Sequence, residues 1–279
     1  MNLSCFHQWV GEKKSDTLVM GILNITPDSF SDGRKYELVD KAVQFALQME
    51  DEGADIIDIG GESTRPGANS VSVLEECSRV LPVIEGLKAK SEVLISIDTY
   101  KSDVARQSIK AGAEMVNDIS GMTFDSYMAK LISESKLPVV LMHIKGTPKN
   151  MQVNPNYDDL IKEVSDYLRD RVKFAKENGV KEWQIILDPG IGFGKRVEDN
   201  FQLLRELNVI EELGFPVLVG PSRKSFIGLT LNLPVDKRME GTAAAVTAGI
   251  LNGARIVRVH DVKEMKQVVK ITDKIRGYA

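Results

Sequence analysis

Eight short apolar runs recur along the chain and limit its fold more than any other feature. They occupy residues 18–25, 56–59, 93–97, 115–116, 138–142, 185–187, 216–219 and 256–259. Each is rich in Val, Ile and Leu and shows no polar alternation, the pattern of strands covered on both faces. Helical patterns lie between most of them, as at 41–51 and 158–179. Gly53, Gly112, Gly179, Gly214 and Gly253 follow such stretches where a helix C-terminal cap belongs, each a few residues before the next run. Eight strand-then-helix units in 279 residues predict an α/β fold, a closed (β/α)8 TIM barrel. The expected organisation is one domain over 1–279, with a short lead-in over about 1–17. A doubly wound open sheet is the alternative. It usually has fewer strands and a phosphate fingerprint in its first unit, and neither fits.

In such a barrel, function gathers where strands end. Here the ends carry Asn24, Asp58 with Glu62, Asp98, Asn117, Met142 with His143, Asp188, the segment 220–225, and Arg258 with His260. Polar side chains therefore close runs that are otherwise apolar. Asp98, Asn117 and Asp188 form an acceptor surface suited to a planar heterocycle with adjacent ring N–H and amino donors, because one carboxylate can accept two parallel N–H bonds. Read singly, Asp98 and Asp188 also suit a helix cap or a turn.

Net charge excludes some partners. At −4, the chain offers no basic field for nucleic acid and no polybasic patch for a membrane surface, so an anionic substrate would need a local basic cluster. Arg65, Arg223, Lys224, Arg258 and His260 supply one, with solvated surface charge as the plain alternative. Loops after the seventh and eighth strands of a barrel often bind phosphate, and Arg258 and His260, two apart, share one side of an extended chain. Asn24 faces this corner from the first strand. The corner suits a diphosphate with a magnesium ion held by Asn24 and phosphate oxygens. The run "DPGIGFGK" matches neither the dinucleotide nor the Walker A spacing, so its glycines suit close approach of backbone to a flat ligand. Phe193 there, and Phe30 in "NITPDSFSDG", are expected to stand exposed and to flank an aromatic co-substrate, or else to pack on their own loops.

Other classes find little support. Cys5 and Cys77 make no disulfide framework, and His7, His143 and His260 are too widely spaced for a zinc pattern. No Ser-His-Asp or Cys-His arrangement is evident. The N-terminus lacks a signal-peptide pattern, and no apolar run approaches the ~20 residues of a membrane span, so the expected location is cytoplasmic.

The motifs "MGILNITPDSFSDG", "DIIDIGGESTRPGA", "ISIDTY", "MVNDISG", "LDPGIGFGK", "VGPSRKSFIG" and "RVHDV" run in order from about Val19 to Val262, one per strand end. Together they resemble the dihydropteroate synthase family of folate biosynthesis. The resemblance implies a TIM barrel and a homodimer. It also implies a transferase that joins 6-hydroxymethyl-7,8-dihydropterin diphosphate to p-aminobenzoate and is a sulfonamide target. Matched position by position, Asp98, Asn117, Met142, Asp188 and Lys224 correspond to pterin-binding residues. Asn24 corresponds to the magnesium–diphosphate site, and Arg65, Arg258 and His260 to the groups that hold the diphosphate. Phe30, Thr64, Pro66, Phe193 and Ser225 fall on the p-aminobenzoate side. Asp98, Lys224, Arg258 and His260 are the expected catalytic set. Departure of diphosphate would be assisted by magnesium and cationic side chains, and Asp98 would stabilise the pterin cation, giving an SN1-like path. The arylamine then attacks as a neutral nucleophile and requires no strong base. Two neighbours of this reading are a pterin-binding methyltransferase, which needs no diphosphate site, and a non-catalytic paralogue, which would lack part of this set.

Overall fold

The structure, a computed structural model, describes residues 1–12, 14–25 and 35–277. Eight parallel strands close on themselves in sequence order, β1 pairing with both β2 and β8. They are β1 (Leu18–Asn24), β2 (Ile56–Gly60), β3 (Leu94–Asp98), β4 (Met115–Asp118), β5 (Val139–Met142), β6 (Ile185–Asp188), β7 (Val217–Val219) and β8 (Ala254–Val259). The helices are α1 (Leu3–Gly11), α2 (Lys35–Asp51), α3 (Val73–Lys88), α4 (Ser102–Ala111), α5 (Met128–Ser135), α6 (Leu160–Glu177), α7 (Val197–Arg205), α8 (Asn208–Glu211), α9 (Ser225–Leu231), α10 (Met239–Leu251) and α11 (Val262–Arg276). This is the expected TIM barrel, and each strand lies within two residues of its apolar run.

The apolar runs conceal a period of two that only packing reveals. Val19, Ile57, Ile95, Val116, Val139, Ile185, Val217 and Val257 point outward and join the helices in the main core. Their neighbours Met20, Ile56, Leu94, Met115, Val140, Ile186, Leu218 and Ile256 point inward and fill the lower interior. Both faces are dry at this level, so both sets are apolar. Helix ends follow local chemistry. Asp159 caps α6 by accepting from the Lys162 N–H at 3.1 Å, and Gly112 ends α4 with φ 120°, a conformation costly for residues with a Cβ.

The lead-in has a structural task. Asn2 caps α1 by accepting from the Cys5 N–H, and Phe6 and Trp9, 5.3 Å apart between ring centroids, pack into the lower interior cluster. Helix α1 therefore plugs the bottom of the barrel. The Arg255 guanidinium stacks 4.1 Å over the Trp9 ring and holds the plug to β8. With the bottom closed, the opposite mouth, where the strands end, is the end left for a ligand among the described residues. Among the described residues no helix is long and apolar enough to cross a membrane.

Candidate active site

Toward the upper mouth the inward positions turn polar. Strand register places Asn24 beside Gly60, Gly60 beside Asp98, and Asp98 beside Asn117, one continuous rung over four strands. Gly60 leaves room for its neighbours: a Cβ there would lie 3.4 Å from Asn24 Oδ1 and 3.5 Å from Asp98 Cβ. On the far side, Met142 pairs with Asp188. Asp98, Asn117, Met142 and Asp188 are all buried, while Asn24 is half-buried.

Arg258 rises from β8 across this rung. Its Nε–H donates to Asp58 Oδ2 at 2.6 Å and its Nη2 to Asp98 Oδ2 at 2.7 Å. Asn117 Nδ2 donates to the same Asp58 oxygen at 3.0 Å. One guanidinium thus serves two buried carboxylates, and Asp98 Oδ1 has no hydrogen-bond partner among the described residues. Burial, together with the charge of Asp58, pushes the Asp98 carboxyl up to about 7 against the opposing pull of Arg258. Burial acts on Arg258 in the opposite sense, but Asp58 and Asp98 outweigh it and hold the guanidinium above its usual range. The fork leaves Nη1 and the second Nη2 proton of Arg258 for a ligand.

Asp188 is held by a tight turn. Its Oδ1 accepts from the Gly190 N–H at 2.7 Å. Gly190 has φ 71°, and a Cβ there would sit 2.0 Å from the His143 carbonyl oxygen, so no other residue fits. Burial raises the Asp188 carboxyl, against the Gly190 N–H and the charges of Lys224, Lys195 and Arg258. Lys224 lies 4.1 Å over the Phe193 ring and donates to the Ile191 carbonyl. Burial draws its amine down to about 7, although Asp188 and Asp98 oppose this. Phe193 differs from expectation. It is half-buried, packed against the cluster of Ile119, Met142, Ile144 and Met151.

The remaining basic groups meet at the same mouth. His260 is pressed down to about 4 by burial and by the nearby charges of Arg258, Arg223 and Arg65. Arg223 itself turns away: its Nε donates to Asp261 Oδ2 at 3.0 Å and its Nη2 pairs with Asp261 Oδ1. Its backbone has φ 58°, a conformation rare outside glycine. The bend sends Arg223 and Lys224 in different directions. Thr64 is half-buried, Arg65 and Pro66 are exposed, and Ser225 is exposed at the first turn of α9. Phe30 lies outside the described residues.

Several participants escaped the sequence reading. Asp58, noted only as part of a strand end, anchors Arg258, and a charged residue inside "DIIDIG" was the available sign. Lys195 is buried, with its Nζ 2.9 Å from His143 Nδ1 and 3.0 Å from the Phe193 carbonyl, bracing the glycine-rich loop. Glu62 accepts from Tyr100 at 2.7 Å and from Lys101 at 2.6 Å, and Lys101 also donates to the buried Glu76 at 2.6 Å. That network underpins the loop bearing Thr64, Arg65 and Pro66. A serine–histidine pair, absent from the sequence reading, also exists: Ser222 Oγ lies 3.0 Å from His260 Nδ1.

The mouth therefore joins buried acceptors to a cationic flank, with an aromatic ring between them. Comparison with known proteins agrees with this chemistry. Residues 20–260 match the family model described as pterin binding enzyme. A dihydropteroate synthase of Synechocystis sp. is 52% identical over 92% of this chain and 89% of its own. A Clostridium difficile dihydropteroate synthase, solved in the presence of pteroic acid, superposes with a TM-score of 0.90 at 47% identity, covering 95% of this chain and 98% of that one. A Yersinia pestis dihydropteroate synthase in a sulfonamide drug complex gives 0.89 at 44% identity, covering 94% and 95%. The chain belongs to the pterin-binding enzyme family and, within it, to the dihydropteroate synthases.

Proposed function

We propose that this chain condenses 6-hydroxymethyl-7,8-dihydropterin diphosphate with p-aminobenzoate to give 7,8-dihydropteroate and diphosphate. The observation that carries this reading is the single mouth in which Asp98, Asn117 and Asp188 stand beside Arg258, Lys224 and His260. Asp188, Asn117 and the unpartnered Asp98 oxygen accept from the pterin ring and its amino group, and Met142 supplies an apolar wall. Lys224 sits between Asp188 and the Phe193 ring and contributes a donor at the pterin edge.

In the reaction, the bond from the exocyclic methylene carbon to the diphosphate oxygen breaks, and its electron pair leaves with the oxygen. Arg65, Arg258 and His260 stabilise that oxygen's growing charge. The methylene cation is conjugated with the pterin ring and lies by the Asp98 carboxylate. The arylamine nitrogen of p-aminobenzoate forms the new C–N bond, and its surplus proton passes to solvent or to the departing anion. Phe30, Thr64, Pro66, Phe193 and Ser225 hold the second substrate, which sulfonamides would displace.

A magnesium ion fits this corner as a shared ligand. Among the described residues no group of three His, Cys, Asp or Glu side chains could cage a metal. The Asn24 amide oxygen converges with Asp98 over Gly60, which suits an ion that keeps several waters and takes further oxygens from a substrate. When bound, the ion would neutralise diphosphate charge. A homodimer is the proposed assembly, supported by exposed Leu229 and Leu231 on α9, Val235 after it and Met239 at the start of α10; sedimentation as a monomer would remove it. A cytoplasmic location fits the free Cys5 and Cys77 thiols. The decisive assay incubates purified protein with the dihydropterin diphosphate, p-aminobenzoate and magnesium. Release of diphosphate dependent on both organic substrates supports the reading, and its absence refutes it.

A further inference from the structure

We propose that Ser222 is a positioning residue that locks the His260 ring as the tautomer protonated on Nε2, so that the ring donates toward the leaving anion. The proposal rests on the diphosphate reading of His260 given above. Ser222 Oγ accepts from the His260 backbone N–H at 3.2 Å and lies 3.0 Å from His260 Nδ1. A serine hydroxyl has one proton to give and two lone pairs to fill. Ser222 is 4% exposed, and its hydroxyl has no other acceptor among the described residues.

Two proton placements are open to this pair, and they are not equivalent. With the ring proton on Nδ1, both His260 groups would donate to Ser222, and the serine's own proton would be buried without an acceptor. Such a group carries the full desolvation penalty of an unmade bond. With the proton on Nε2, Ser222 accepts from the backbone and donates to Nδ1, and every buried group is satisfied. The tautomer is assigned from this network.

The surroundings make the tautomer matter. Arg258, Arg223, Arg65 and Asp261 are the charged groups around His260, and burial with the three arginines keeps the ring neutral at neutral pH against the opposing pull of Asp261. A neutral imidazole presents either a proton or a lone pair, and only the proton suits an anion. Asp261 does not compete for the ring, since Arg223 occupies its carboxylate. Ser222 is itself held still: the next residue, Arg223, takes a φ of 58°, its N–H donates to Thr242 Oγ1 at 3.1 Å, and its carbonyl accepts from Arg238 Nη1 at 2.9 Å. The hydroxyl therefore acts on the reaction through the ring.

The experiment uses two-bond proton–nitrogen spectra of the ring nitrogens in the full-length protein, where His7, His143 and His260 give three imidazoles. The His260→Gln variant assigns the third. The expected wild-type result is a protonated Nε2 and a bare Nδ1. Ser222→Ala should move both nitrogens toward a tautomer mixture and raise KM for the dihydropterin diphosphate about tenfold, the worth of roughly one hydrogen bond. KM for p-aminobenzoate should stay within about twofold. Ser222→Thr, which keeps the hydroxyl, should restore both readouts. A wild-type proton on Nδ1, or ring nitrogens unmoved in Ser222→Ala, overturns the proposal. If His260→Gln leaves KM for the dihydropterin diphosphate unchanged, the anion role fails separately, while the nitrogen signals still judge the lock. Should Ser222→Ala not fold, the wild-type spectrum alone decides.

Discussion

Replacing Asp188 by Asn changes one atom and should reverse the polarity of one wall of the pocket. Asp188 Oδ1 is committed to the Gly190 N–H at 2.7 Å, in a turn that only glycine fits. An amide oxygen can make that same bond, so the loop should survive the substitution. The amide nitrogen must then take the place of Oδ2, facing the ligand. A pterin ring brings N–H donors to that position, and two donors would meet. The loss has two parts: a hydrogen bond to a charged acceptor, worth about 1.5–3 kcal/mol, and a buried donor left without an acceptor, costing about 1–3 kcal/mol. Together they give about 2.5–6 kcal/mol, or roughly 60- to 20,000-fold in affinity. Calorimetry with 6-hydroxymethyl-7,8-dihydropterin reads the affinity, and thermal melting shows whether the fold is intact. Pterin affinity within about threefold of wild type, in a variant that melts normally, would refute the placement of the ligand against Asp188.

Four further outcomes follow from the same geometry. Because Asp98 titrates near 7 and Lys224 near 7, kcat/KM for the dihydropterin diphosphate should fall on both the acid and the alkaline side of neutrality, and Lys224→Arg should remove the alkaline limb in a pH–rate profile. Asp98 rises from its ordinary 3.8 to about 7 on folding, so the folded state holds the extra proton between those values and loses stability as pH rises through them. Asp98→Asn should therefore reduce the fall in melting temperature over that window. Phe6→Ala should empty the bottom plug and destabilise the fold by about 3–5 kcal/mol in urea titration, with both KM values near wild type, since Phe6 is fully buried at the end away from the mouth. Chelation of magnesium should abolish turnover reversibly, and Asn24→Ala should raise the magnesium concentration needed for half-maximal rate about tenfold, a change of about 1.4 kcal/mol.

The strands could be read from the sequence because both faces of each are dry, and such runs need no partner to be recognised. The mouth could be read because Asn24, Asp98, Asn117 and Asp188 break those runs at their ends, where an apolar residue would otherwise continue the packing. What stayed hidden depends on meetings across long stretches of chain. Ser222 and His260 are 38 residues apart, and Arg258 and Asp58 are 200 apart, so neither pair leaves a local pattern. The plug stayed hidden for a related reason: nine residues of α1 look like any short helix until Phe6 and Trp9 meet the inward residues of the strands. The half-burial of Phe193 stayed hidden because it depends on Met142 at the end of β5 and on Met151 beyond it, far from Phe193 in the sequence.

Placing cations and carboxylates in one cavity raises the question of why they do not simply neutralise each other. Here the count and the geometry prevent it. Arg258 spans Asp58 and Asp98 but satisfies only one oxygen of each, and among the described residues Asp58 Oδ1 and Asp98 Oδ1 remain unpartnered. The buried carboxylates thus fix the guanidinium in place while its outer protons stay available to an anion, and the fixed guanidinium in turn leaves Asp98 with an acceptor for a cation or a donor. A ligand carrying donors at one end and an anion at the other completes both sets at once, whereas a ligand with only one of these features leaves part of the buried charge unanswered. On the proposed reading, selectivity for a heterocycle bearing a diphosphate would arise from the incomplete pairing itself. Removing Asp58 would disturb it by freeing Arg258 to collapse onto Asp98.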